Sequence, residues 1–105
     1  MAGVDGRWTS LRRQRLADLA CEARVDYVRS MLSIGSPREA FDAALAAVTE
    51  NPYREDAWQQ LMRAQAAVGG PQTALPVFLE CQQALGRVGV EPSNATRRLL
   101  RALRG

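Results

Sequence analysis

A chain of 105 residues with 47 % apolar and 24 % charged side chains fits a single water-soluble domain with one modest core. Its formal charge of +3 comes from fourteen arginines and no lysine against eleven acids; histidine is missing, which excludes the usual Cys/His metal sites and imidazole acid–base catalysis. No apolar run approaches the roughly 18 residues that span a bilayer, and Met1 to Arg15 lacks the apolar stretch of a secretory signal, so the expected location is the cytoplasm.

Residues 1–10 are expected to be a disordered or linker N-terminus, with the first helix starting at Thr9 or Ser10, either of which can cap it. Leu16, Leu19, Ala20, Ala23, Tyr27, Met31 and Ile34 then recur at steps of three and four, the helical period. Cys21, Val25, Val28 and Leu32 form a second stripe on a neighbouring face, so this helix is expected to pack on two sides. Gly35 ends it, because glycine accepts the left-handed backbone of a residue just past a helix.

Ser36-Pro37-Arg38-Glu39 reads as a capping box with proline at the first helical position. The helix it opens is expected to bury Ala40, Phe41, Ala44, Leu45 and Val48 and to stop near Glu50. Asn51-Pro52 repeats that cap-and-proline logic and is expected to open a third helix through Trp58, Leu61, Met62, Ala64 and Val68. Gly69-Gly70-Pro71 breaks it and starts a fourth, with Ala74, Leu75, Phe78, Cys81, Leu85 and Val88 inward. Pro76 falls inside this helix, where it is expected to bend it at a cost of about 3 kcal/mol. Gly86 and Gly89 fray its end, and Ser93 caps a short last helix with Leu99, Leu100 and Leu103 along its apolar edge. Cys21 and Cys81 are expected as two buried thiols without a disulfide. Trp58, Phe78 and Tyr27 read as core anchors.

Pro37-Arg38-Glu39-Ala40-Phe41 returns thirty-four positions later as Pro71-Gln72-Thr73-Ala74-Leu75, and 34 residues is one tetratricopeptide helix–turn–helix unit. Residues 55–88 match that unit well, with Trp58 and Leu61 in its first helix and Ala74 and Phe78 in its second. Residues 21–54 match it loosely, through Ala40, Ala47 and Pro52. The expected fold is therefore all-α: helical hairpin repeats, about five helices, with a C-terminal capping helix. Such units stack into scaffolds that bind proteins. With no Gly-rich phosphate loop, nucleophile elbow or paired carboxylates, the chain is not expected to be an enzyme or to need a cofactor.

The segment Asn51-Pro52-Tyr53-Arg54-Glu55 through Leu61-Met62-Arg63-Ala64, and the tail Gly89-Val90-Glu91-Pro92-Ser93 followed by Thr96-Arg97, make a sharper match. They resemble the bacterial transcriptional activator domain, the tetratricopeptide-like partner of the winged helix in Streptomyces antibiotic regulatory proteins. The resemblance covers residues 11–104 and is dense from 51 onward. It implies interdomain packing, dimer contacts and help in recruiting RNA polymerase. No part of the sequence reads as the winged helix, so DNA recognition is not carried over, and the chain is expected to be an excised domain or a small protein keeping the effector half. The alternative is a free-standing adaptor that binds a partner protein unconnected with transcription.

In a stacked pair of such units the first helices line the concave face, which pairs Glu22 with Asp56, Val25 with Gln59, Arg29 with Arg63 and Leu32 with Ala66. Glu22, Arg29, Asp56, Gln59 and Arg63 are thus the expected partner groove, where two arginines could grip a carboxylate or an acidic segment. The alternative is that Asp26–Arg29 and Gln59–Arg63 decorate solvated helix faces. Charge is segregated: residues 1–15 and 91–105 each carry +3 and residues 16–90 carry −3. An acidic centre with basic ends does not suit direct DNA binding. Arg97, Arg98, Arg101 and Arg104 form a basic terminal patch that could lie on phosphates beside an attached DNA-binding domain, or simply favour the end of a helix dipole.

Overall fold

Five α-helices and no strand form among the described residues: α1 (Ala2–Ser33), α2 (Pro37–Glu50), α3 (Glu55–Gly69), α4 (Ala74–Gly86) and α5 (Asn94–Arg104). The structure is a computed structural model that describes the backbone from residue 2 and side chains from Trp8 onward. α1 and α2 make one hairpin, α3 and α4 a second, and α2 packs on both α1 and α3. Pro37 and Pro71, thirty-four positions apart, each begin the returning arm of a hairpin, Pro71 through a short 3₁₀ turn over Pro71–Thr73. α5 folds back across α3 and α4.

Small side chains set this packing. Ala40, Ala44 and Ala47 on α2 are essentially inaccessible, as are Ala57 and Ala64 on α3. Alanine at the crossing points allows helix axes to approach toward the lower end of the usual 8–10 Å. Trp58 and Phe78 fill the remaining space at 7 and 6 % exposure, as expected of core anchors. The Trp58 indole N–H does not go unpaired, because it donates to the Pro52 carbonyl at 2.8 Å. Cys21 and Cys81 are free and buried. Burial pushes the Cys81 thiol up to about 12, with Glu55 adding to the shift, and raises Cys21 as well; both are inert core groups.

Gly35 and Gly89 take positive φ, +80° and +75°. In each case the following amide reaches back five residues, Ser36 N to Met31 O and Val90 N to Leu85 O, closing the helix end in the same way.

Several expectations are corrected. α1 runs back to Ala2, so Thr9 and Ser10 are not its start and residues 2–10 are helical rather than disordered; Met1 lies outside the described residues. α1 packs on one side only: Cys21, Val25 and Val28 are buried, while Leu16, Leu19, Tyr27 and Ile34 are exposed, so Tyr27 is no core anchor. Leu45, Val68 and Val88 are also exposed rather than buried. Ser36 precedes α2 without a side-chain cap bond. Asn51-Pro52 belongs to the turn between α2 and α3, and α3 starts at Glu55 with Arg54 before it. Pro76 costs less than expected because it is the third residue of α4, where an amide has no partner within that helix.

Candidate functional site

Two adjacent residues at the head of α3 position the surfaces around it. Arg54 grips Asp56 through two bonds of 3.1 and 2.7 Å, and its remaining nitrogen donates to the Asp18 carbonyl of α1 at 3.0 Å. Glu55 faces the other way. Its Oε2 accepts from the Ser93 amide and hydroxyl at 2.7 and 2.8 Å and from the Thr96 hydroxyl, at the N-terminus of α5. Ser93 caps α5 by accepting from the Thr96 amide, and Gln59 donates to the Thr96 hydroxyl at 2.9 Å. Thr96 is fully buried. Burial alone would raise the Glu55 carboxyl, but the bonds from Thr96 and Ser93, with Arg97 nearby, hold it below its ordinary value of 4.5. One end of α3 is thereby tied to α1 and to α5 at once.

This anchoring leaves an open groove between α1 and α3. It has a volume of about 350 Å³ and is lined by Arg29 and Leu32 from α1 and by Gln59, Gln60 and Arg63 from α3. Arg29 and Arg63 thus come together as the repeat register requires, and Gln59 joins them. Glu22 and Asp56 do not line it: Glu22 is exposed elsewhere on α1, and Asp56 is held by Arg54. Arg29 lies 3.4 Å from Asp26 in an exposed pair, a contact contributing at most about 1 kcal/mol. Gln59 lines the groove beside Arg63 while donating its side-chain amide to the Thr96 hydroxyl.

Gln60 is the residue that sequence reasoning missed. It is 3 % exposed, yet its Oε1 is buried with no hydrogen-bond partner. A buried oxygen left unpaired costs about 1–3 kcal/mol, so an N–H entering the groove would recover that energy. Its spacing held the clue. Gln60 stands three residues from Ala57 and four from Ala64, on the inward stripe of α3.

The basic terminal patch is divided. The Arg97 guanidinium sits 5.8 Å from the centre of the Phe78 ring, committed to the core edge. Arg98, Arg101 and Arg104 are exposed, the last two in the final turn of α5, where they favour the helix dipole. Among the described residues no cluster of acids and cysteines could hold a metal, and no helix is long and apolar enough to cross a membrane.

Helical hairpins closed by a terminal helix, with an open polar groove between their leading arms, define an all-α scaffold domain. The family model of the bacterial transcriptional activator domain matches residues 1–104, and the chain belongs to that family, the one found in activators of the Streptomyces antibiotic regulatory type. No curated protein and no solved structure matches the chain. The residues that carried the resemblance acquire physical roles: Arg54 and Glu55 are the two anchors of α3, and Ser93 and Thr96 receive one of them.

Proposed function

We propose that the chain is the effector half of a transcriptional activator and engages a protein partner through the groove between α1 and α3. The unpaired Gln60 oxygen beside two guanidiniums is the observation that carries this reading. An acidic segment in extended form offers what those groups lack: a carboxylate for Arg29 and Arg63, and a backbone N–H for Gln60. Arg63 makes no ion pair among the described residues, so its charge is available. A larger groove of about 470 Å³, between α2 and α4, includes Leu45, Val48 and Ala84 but no orphaned polar atom, and supports no comparable recognition.

RNA polymerase and a winged-helix DNA-binding domain on the same regulator are the partners that suit an activator of this family. In an activator carrying this domain, Arg29→Ala and Arg63→Ala should each lower RNA polymerase capture and promoter activation about tenfold while leaving Tm unchanged. Normal capture and activation by both variants would exclude the groove as the contact.

A further inference from the structure

Glu55, Gln59 and Arg63 follow one another at four-residue steps on α3, so they lie along one stripe of that helix. The stripe joins two places. At its N-terminal end Glu55 holds the start of α5 through Ser93 and Thr96. At its other end Arg63 lines the groove together with Arg29 and Leu32 of α1. Gln59 stands between them and belongs to both, since it lines the groove and donates to the Thr96 hydroxyl at 2.9 Å.

What each group can give fixes the direction of these bonds. An ionised carboxylate only accepts, so Thr96 donates its one hydroxyl proton to Glu55 and receives Gln59 on its oxygen. The donors run one way, from Gln59 through Thr96 to Glu55, and each bond polarises the next. A glutamine amide nitrogen carries two N–H groups. Thr96 takes one of them; the second N–H and the carbonyl enter no other side-chain bond among the described residues. Thr96 is fully buried and Gln59 half-buried, so the amide is fixed from the core side and open on the groove side. Among the described residues α5 packs on α3 and α4 but not on α1, which makes α3 its route to the groove.

We propose that Thr96 is a positioning residue for the groove: docking of α5 sets the Gln59 amide in place, and the groove is complete only while α5 is docked. The role rests on the groove being the partner site, and it names the helix that controls that site. A glutamine that an occupant must order for itself weakens binding by about two- to tenfold, and that is the effect Thr96 commands. By linkage, an occupant held by Gln59 favours the docked α5 by the same factor.

Labelled hexaglutamate, kept extended by its own charge, is the probe, with fluorescence anisotropy on the 105-residue chain as the readout. Arg63→Ala defines the binding that belongs to the groove. Thr96→Val keeps the shape without the hydroxyl and should weaken that binding by about two- to tenfold. Thr96→Ser keeps the hydroxyl but loses a buried methyl, and should bind within about twofold of wild type although its Tm falls. Affinity that follows the hydroxyl and not Tm separates positioning from general stability. Hydrogen exchange of the wild-type chain needs no variant: saturating probe should slow exchange of the α5 amides. Unchanged affinity in Thr96→Val, equal weakening in Thr96→Val and Thr96→Ser, or α5 exchange indifferent to the probe overturns the positioning role and leaves the groove as partner site. Wild-type binding that survives Arg63→Ala undiminished, or no binding at all, overturns the groove itself and the positioning role with it.

Discussion

The two hairpins are built alike and finished differently. α3 and α4 are closed by α5, and the closure is polar: Glu55 accepts from Ser93 and Thr96, with Thr96 fully buried. α1 and α2 have no such cover, and the outer face of α1 meets solvent with leucine, tyrosine and isoleucine. Apolar periodicity is equally strong in both regions. Periodicity therefore tells which faces are apolar, whereas satisfied buried polar groups mark the faces that the fold itself closes.

Substitutions can be chosen to press on that contrast. The largest effect belongs to the closed hairpin, where Phe78→Ala should lower stability by about 3–5 kcal/mol in urea unfolding, since it opens a cavity under α5 and removes the ring that Arg97 covers. A loss below about 1 kcal/mol would mean that α5 does not seal this core.

Glu55→Gln comes next, at about 1–3 kcal/mol near neutral pH, because charge-assisted bonds to Ser93 and Thr96 weaken. The pH dependence follows from the direction of the shift. The folded carboxyl titrates below its ordinary value of 4.5, so its contribution is complete above that value and is lost as pH falls through the lower, folded one. Urea midpoints of wild type and Glu55→Gln should accordingly converge on acidification; a gap that stays constant down to about pH 2 would remove Glu55 as the source.

Tyr27→Ala should have the smallest effect, within about 0.5 kcal/mol in the monomer, since Tyr27 is 47 % exposed and faces away from the hairpin. A thermal melt of dilute protein reads this directly. A large loss would make the open face part of the monomer core and erase the contrast between the two hairpins.

Much of the architecture was legible in the chain. Gly35, Pro37, Gly69-Gly70-Pro71 and Ser93 each sit at the helix boundary their chemistry suggests, within a few residues. Asn51-Pro52 misled because a cap-and-proline pair also suits a turn, and the turn was chosen by Trp58, whose indole N–H needs the Pro52 carbonyl. Part of the groove was legible too. The thirty-four-residue register alone brings Arg29 to Arg63, but it assigns Glu22 and Asp56 to the same face, and Arg54 draws Asp56 away. Gln60 was hidden because glutamine reads as a surface residue unless its neighbours at three and four positions are counted.

Helix number and hairpin order were present in local spacing, since caps, breakers and a 3.6-residue period act within a few positions of one another, and the family was legible in the residue motifs around Arg54-Glu55 and Ser93. Which stripe of α1 entered the core, where Glu55 found its partners and which polar oxygen was left alone depended on elements more than thirty residues apart. Those outcomes are set by competition between faces for a limited interior, and a linear pattern records the competitors without recording the winner.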